Sequence, residues 1–129
     1  AFISWLFGGW SEDMLTLIIL MISDYITGVI VAAFFKKSKK SENGSLSSVA
    51  GLKGLCKKGV MLLVVLIAHR LDISLGVEYI KSTAIIGFIA NETISVTENI
   101  GLMGVPLPEV INRALEVLKN KSGNKKEGE

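Results

Sequence analysis

Residues 14–35, MLTLIILMISDYITGVIVAAFF, form a run of twenty-two residues with a single charge. As a helix rising about 1.5 Å per residue the run is roughly 33 Å long, enough to cross the hydrocarbon of a bilayer. The charge is Asp24, near its middle. A carboxylate at that depth costs about 2.5 to 3.5 kcal/mol even on the lenient insertion scale, so a chain that keeps one there needs partners for it.

The rest of the composition agrees with a membrane protein. Half of the 129 residues are hydrophobic, the mean hydropathy is +0.50 and the net charge is +2. That balance suits one small domain with apolar surface facing lipid or other helices. The single cysteine, Cys56, excludes an intrachain disulfide and reads as a small apolar residue. No positive charge precedes Lys36, whereas a cleavable signal peptide begins with one, so the first span is expected to be retained.

The expected fold is an all-α membrane protein with about three transmembrane helices. A short N-terminal interfacial segment precedes them and a C-terminal amphipathic helix follows. Residues 2–10, FISWLFGGW, are too short to span, and Trp5 and Trp10 suit the headgroup region. Ser11, Glu12 and Asp13 read as the N-cap and acidic first turn of the span at 14–35. A second span is expected at about 55–75, around the apolar stretch GVMLLVVLIA, with flanking Lys57, Lys58 and Arg70 reaching the interface. His69 there reads as an interfacial residue beside Arg70 and Asp72. The third span is expected at about 82–103. Gly104-Val105-Pro106-Leu107-Pro108 closes the membrane domain at 1–108, since proline cannot continue the helix. Residues 109–129 then form a cytoplasmic amphipathic helix, with Val110, Ile111, Ala114, Leu115 and Leu118 on one face to about Lys119, and a charged, unstructured tail.

The lysines orient this arrangement. Between residues 36 and 58 lie Lys36, Lys37, Lys39, Lys40, Lys53, Lys57 and Lys58 against one acid, Glu42. The positive-inside rule places that loop, facing anionic headgroups, in the cytoplasm, with the N-terminus outside and the C-terminus inside. The lysines lack interleaved aromatics and adjoin two spans, so no nucleic-acid partner is expected.

Two helices carry polar features that lipid would oppose. In the first, Asp24, Gly28 and Ala32 recur every four residues, a carboxylate followed by small residues that allow another helix close. In the third, Asn91, Glu92, Ser95, Glu98 and Asn99 fall on one helical face. Such a stripe faces water or is buried against hydrogen-bonding partners. Asp24 and Glu92 could be set face to face as in an aspartyl hydrolase. The chain has no metal-ligand spacing, no phosphate loop and no Ser/His pair beyond the lone His69, so no catalytic residue, metal or cofactor is expected. A small homo-oligomeric pore needs only what is present, because polar faces become tolerable when several copies surround water.

The same residues carry a family resemblance. Asp24-Tyr25-Ile26-Thr27-Gly28, Gly51-Leu52-Lys53-Gly54-Leu55 with Lys57-Lys58, Ala68-His69 with Asp72, Ile89-Ala90-Asn91-Glu92 through Glu98-Asn99, and Gly104-Val105-Pro106 resemble the toxin-secretion and phage-lysis holin family over nearly the whole chain. The resemblance implies a non-enzymatic protein of the bacterial cytoplasmic membrane that oligomerises and opens lesions. An endolysin, or a large toxin, is the released cargo. The competing expectation is a non-pore membrane scaffold or accessory subunit that binds a partner through its polar helix faces.

Overall fold

A computed structural model describes residues 1–127, and among these the chain is helical with no strand. Its elements are α1 (Phe2–Leu6), α2 (Glu12–Ile30) continued by a π-helical segment (Val31–Phe35), α3 (Ser48–Leu75), α4 (Ile80–Leu102) and α5 (Glu109–Glu127).

Local signals explain most of the boundaries. Ser11 occupies the N-cap position of α2, and the Asp13 carboxylate accepts from the Met14 amide at 2.9 Å. Lys36 stops the helix in the left-handed conformation, φ 50°. The Ser47 hydroxyl accepts from the Ala50 amide at 3.3 Å and opens α3, seven residues before the expected start at 55. The glycines at 51 and 54 therefore lie within the helix, and the loop before it shrinks to residues 36–47. The C-terminal helix, expected to end near Lys119, continues to Glu127. Its lysines and glutamates favour helix enough to carry it past Gly123, a residue that costs only about 1 kcal/mol in a helix.

The joint between α3 and α4 is tied by one side chain. Gly76, in the left-handed region at φ 67°, ends α3. From the preceding turn, Asp72 accepts from the amide of Ile80 at 2.8 Å and that of Lys81 at 3.0 Å. It satisfies two donors that the first turn of α4 cannot pair itself and places a carboxylate at the positive end of the helix. The N-terminal segment docks at this same end of the molecule. Lys81 Nζ donates to the Phe7 carbonyl, and Gly8, φ 75°, lies so close to the His69 imidazole that no Cβ fits. His69 is thus packed under the N-terminal turn. Phe2 and Trp5, stacked at 6.0 Å, and Trp10 stay exposed.

The three long helices meet along seams with heptad spacing. Met14, Leu17, Met21, Asp24, Gly28 and Val31 mark the seam of α2; Lys58, Met61, Val65, Ala68 and Asp72 that of α3; Ile85, Phe88, Glu92, Ser95 and Asn99 that of α4. This spacing of three and four is how left-handed helix bundles keep one face inward. At one end the seam is apolar, where Met14, Leu17, Met21, Val65 and Ile85 form the core, flanked by Phe7, Met61 and Phe88. α4 packs most extensively on α2, parallel to it, and α3 runs antiparallel to both. On the opposite side of α2, Leu15, Ile19, Ile22 and Ile26 are 45% to 54% exposed, an apolar stripe fit for lipid.

Among the described helices, Glu12–Phe35 alone is long and apolar enough to qualify as a membrane span, with a mean hydropathy of 2.2. Charges interrupt the other two: Lys53, Lys57, Lys58, Arg70 and Asp72 in α3, and Lys81, Glu92 and Glu98 in α4. By composition and length, then, one helix of the three expected is able to span.

Asp72→Ala should loosen the α3–α4 joint. The loss of a helix cap predicts destabilisation of about 1 to 2 kcal/mol, seen as faster hydrogen exchange at the amides of Ile80 and Lys81, with the amides around Asp24 little changed.

Candidate functional site

Where the apolar half of the bundle ends, the seam positions turn polar: Asp24 on α2, Lys58 on α3, and Glu92, Ser95 and Asn99 on α4. Lys58 Nζ donates to Asp24 Oδ2 at 2.7 Å and to Glu92 Oε2 at 2.9 Å. The other Asp24 oxygen, Oδ1, accepts from Ser95 Oγ at 2.6 Å and from Asn99 Nδ2 at 3.0 Å. Asn99 Nδ2 also lies 2.9 Å from Thr27 Oγ1 and 3.3 Å from the Asp24 carbonyl. The Thr27 hydroxyl in turn donates back to the Ser23 carbonyl at 2.8 Å.

The two acids and the amide of this cluster are buried, and Lys58 and Ser95 are partly so. Asp24 is 3% exposed, Glu92 2% and Asn99 7%. Burial of a charge is tolerable only when it is paired and its remaining lone pairs are filled, and both Asp24 oxygens are filled here. Two carboxylates share one ammonium, so the ammonium is what allows α2 and α4 to lie together. Gly28 lies at the same contact: a Cβ there would meet Asn99 Nδ2 at 3.7 Å, an ordinary van der Waals distance, so a small residue lets α4 lie close.

Of the residues expected to line a pore, Asp24, Gly28 and Ala32 face inward, and Glu92, Ser95 and Asn99 meet them. Asn91 and Glu98 stand at the exposed edge of the same face, on the wall of a neighbouring cleft. The stripe thus divides into an inward row at 92, 95 and 99, of which Glu92 and Asn99 are buried, and an exposed row at 91 and 98. Among the basic residues, Lys36, Lys37, Lys39, Lys40, Lys53 and Lys57 are exposed, while Lys58, grouped with them in the sequence reading, turns inward instead of towards headgroups. A signal for this exists in the chain, since Lys58 is seven residues before Val65 and fourteen before Asp72 and shares their buried face. Thr27, three residues after Asp24, was missed in the same way.

The cleft beside the cluster has a volume of about 500 Å³ and lies between α2, the 36–47 loop, the start of α3 and the second half of α4. Among the described residues no group of three or more His, Cys, Asp or Glu could hold a metal ion. The cluster is built to pair charges and to hold helices together.

Lys58→Met should leave two buried carboxylates facing each other and destabilise the protein by about 3 to 5 kcal/mol. The triple variant Asp24→Asn/Lys58→Met/Glu92→Gln removes all three charges and should recover most of that loss. Denaturant unfolding in detergent micelles measures both. Equal stabilities of wild type and Lys58→Met would mean that the ion pairs hold nothing.

The bacteriophage holin family matches residues 1–120. An uncharacterised protein of Clostridium perfringens is 40% identical over 95% of this chain and 86% of its own length. One of Listeria innocua is 35% identical over 98% of this chain and 86% of its own. A probable holin of Bacillus phage phi105 is 34% identical over 86% of this chain and 77% of its own. No solved structure matches.

Proposed function

The chain belongs to the bacteriophage holin family, a non-enzymatic membrane family, and on that premise we propose that it oligomerises in the bacterial cytoplasmic membrane and opens lesions there. The cargo is an endolysin or a large toxin. In this reading α2, α3 and α4 all cross the bilayer, the 36–47 loop and α5 are cytoplasmic, and the N-terminus is outside. The lysines at 36, 37, 39 and 40 support that orientation, whereas at the other end Arg70 and Lys81 are balanced by Asp72 and Glu78.

The observation that carries the reading is the ion cluster. One chain hides its own intramembrane polar groups by closing α2 on α4 around Lys58. A single copy can then sit in lipid with apolar faces outward, and α3 and α4 become tolerable as spans because the charges nearest their middles, Lys58 and Glu92, are paired within the bundle. When copies crowd, the same polar faces can exchange partners, opening to water in a ring or raft, at small net cost. Two arrangements of similar energy give a density-dependent switch. A scaffold would keep its stripe available to a permanent mate, and the internal pairing of Asp24, Glu92 and Asn99 weighs against that alternative.

Liposomes holding only this protein should release protein-sized dextrans above a threshold protein-to-lipid ratio. In a Cys56→Ser background, Gly28→Cys with Asn99→Cys joined by a short reducible thiol linker should insert normally and release nothing until the linker is reduced. Release from the linked protein would show that α2 and α4 need not part. Absence of release at any ratio from inserted, helical wild type would favour the scaffold.

A further inference from the structure

We propose that the cleft beside the ion cluster binds the phosphate-bearing headgroup of an anionic phospholipid in the cytoplasmic leaflet. The proposal rests on the membrane topology given above. Lys40, Lys53 and Lys57 line the cleft and, among the described residues, enter no salt bridge. Its acids form no ion pair with them. Asp24 and Glu92 are already held by Lys58, which leaves only Glu98, at the rim, against three cations.

A second, independent observation points into the same space. Ser41 is one of the residues around the cleft, and its hydroxyl oxygen is buried without a hydrogen-bond partner. Buried polar atoms left unpaired are rare and call for a missing partner. A phosphate oxygen accepts a hydroxyl proton and attracts ammonium groups, so one anion answers both features. The remaining wall is apolar, with Val29, Ala32 and Leu46. Free phosphate has no use for such a wall, whereas the glycerol and first methylenes of a lipid do. The charge also sits where it should, on the side of the anionic leaflet.

Full-length protein in nanodiscs of phosphatidylcholine with a graded fraction of phosphatidylglycerol, read by native mass spectrometry, tests the site. Wild type should retain one phosphatidylglycerol. Lys40→Gln/Lys53→Gln/Lys57→Gln should weaken its retention at least about tenfold, while Lys36→Gln/Lys37→Gln/Lys39→Gln, which removes the same charge outside the cleft, should weaken it far less. Ser41→Ala should weaken retention with no change of charge. Equal loss in the two lysine variants, or no retained lipid in wild type, overturns the proposal. Retention of added inorganic phosphate in place of the lipid overturns the lipid assignment. Thiol labelling of Asn43→Cys in a Cys56→Ser background separates the two levels. A loop that labels only from the outer side sinks the topology, and a cytoplasmic loop with equal lipid loss sinks only the site.

Discussion

The Lys58 ammonium between the Asp24 and Glu92 carboxylates is the interaction on which the rest of this structure depends. Without a cation between them, two acids at matching depths of parallel helices would repel, and α2 and α4 could not share their longest contact. With it, three helices from distant parts of the chain are drawn to one point. The lengths of α2 and α4, the short 36–47 loop and the Asp72 cap all serve to bring that point to a common level.

The bundle is divided along its axis as a consequence. One half is dry and held by Met14, Leu17, Met21, Val65 and Ile85. The other is polar and leads into the cleft under the lysine-bearing loop. Apolar packing resists water and is indifferent to charge, whereas an ion cluster is strong only while water is kept out. Such a bundle is stable as a closed unit, yet its polar half can be satisfied as well by water or by another copy. In the function proposed above, stability and rearrangement rest on the same residues.

Much of the fold can be read directly in the chain. The apolar run around Asp24 announces a span, Pro106 and Pro108 separate α4 from α5, and the 92, 95, 99 spacing marks a polar face. The start of α3 was misplaced because Gly51 and Gly54 look like loop, and nothing local competes with that impression until the Ser47 cap is seen. Lys58 was assigned to the headgroups for a related reason. Its sequence neighbours are exposed lysines, and composition averages over neighbours where periodicity does not. Tested against Val65 and Asp72, its phase puts it inside.

From the residues alone it follows that the chain is helical, that at least one helix suits a bilayer, and which residues are polar where lipid would oppose them. These follow from composition and period, which are properties of one helix at a time. Packing of the helices on one another is what brings Asp24, Lys58 and Glu92 together and leaves Asn91 and Glu98 outside the cluster. Those outcomes depend on the rotation and depth of three helices relative to one another, set jointly by packing and by the energy of pairing charge away from water. No single segment carries that information.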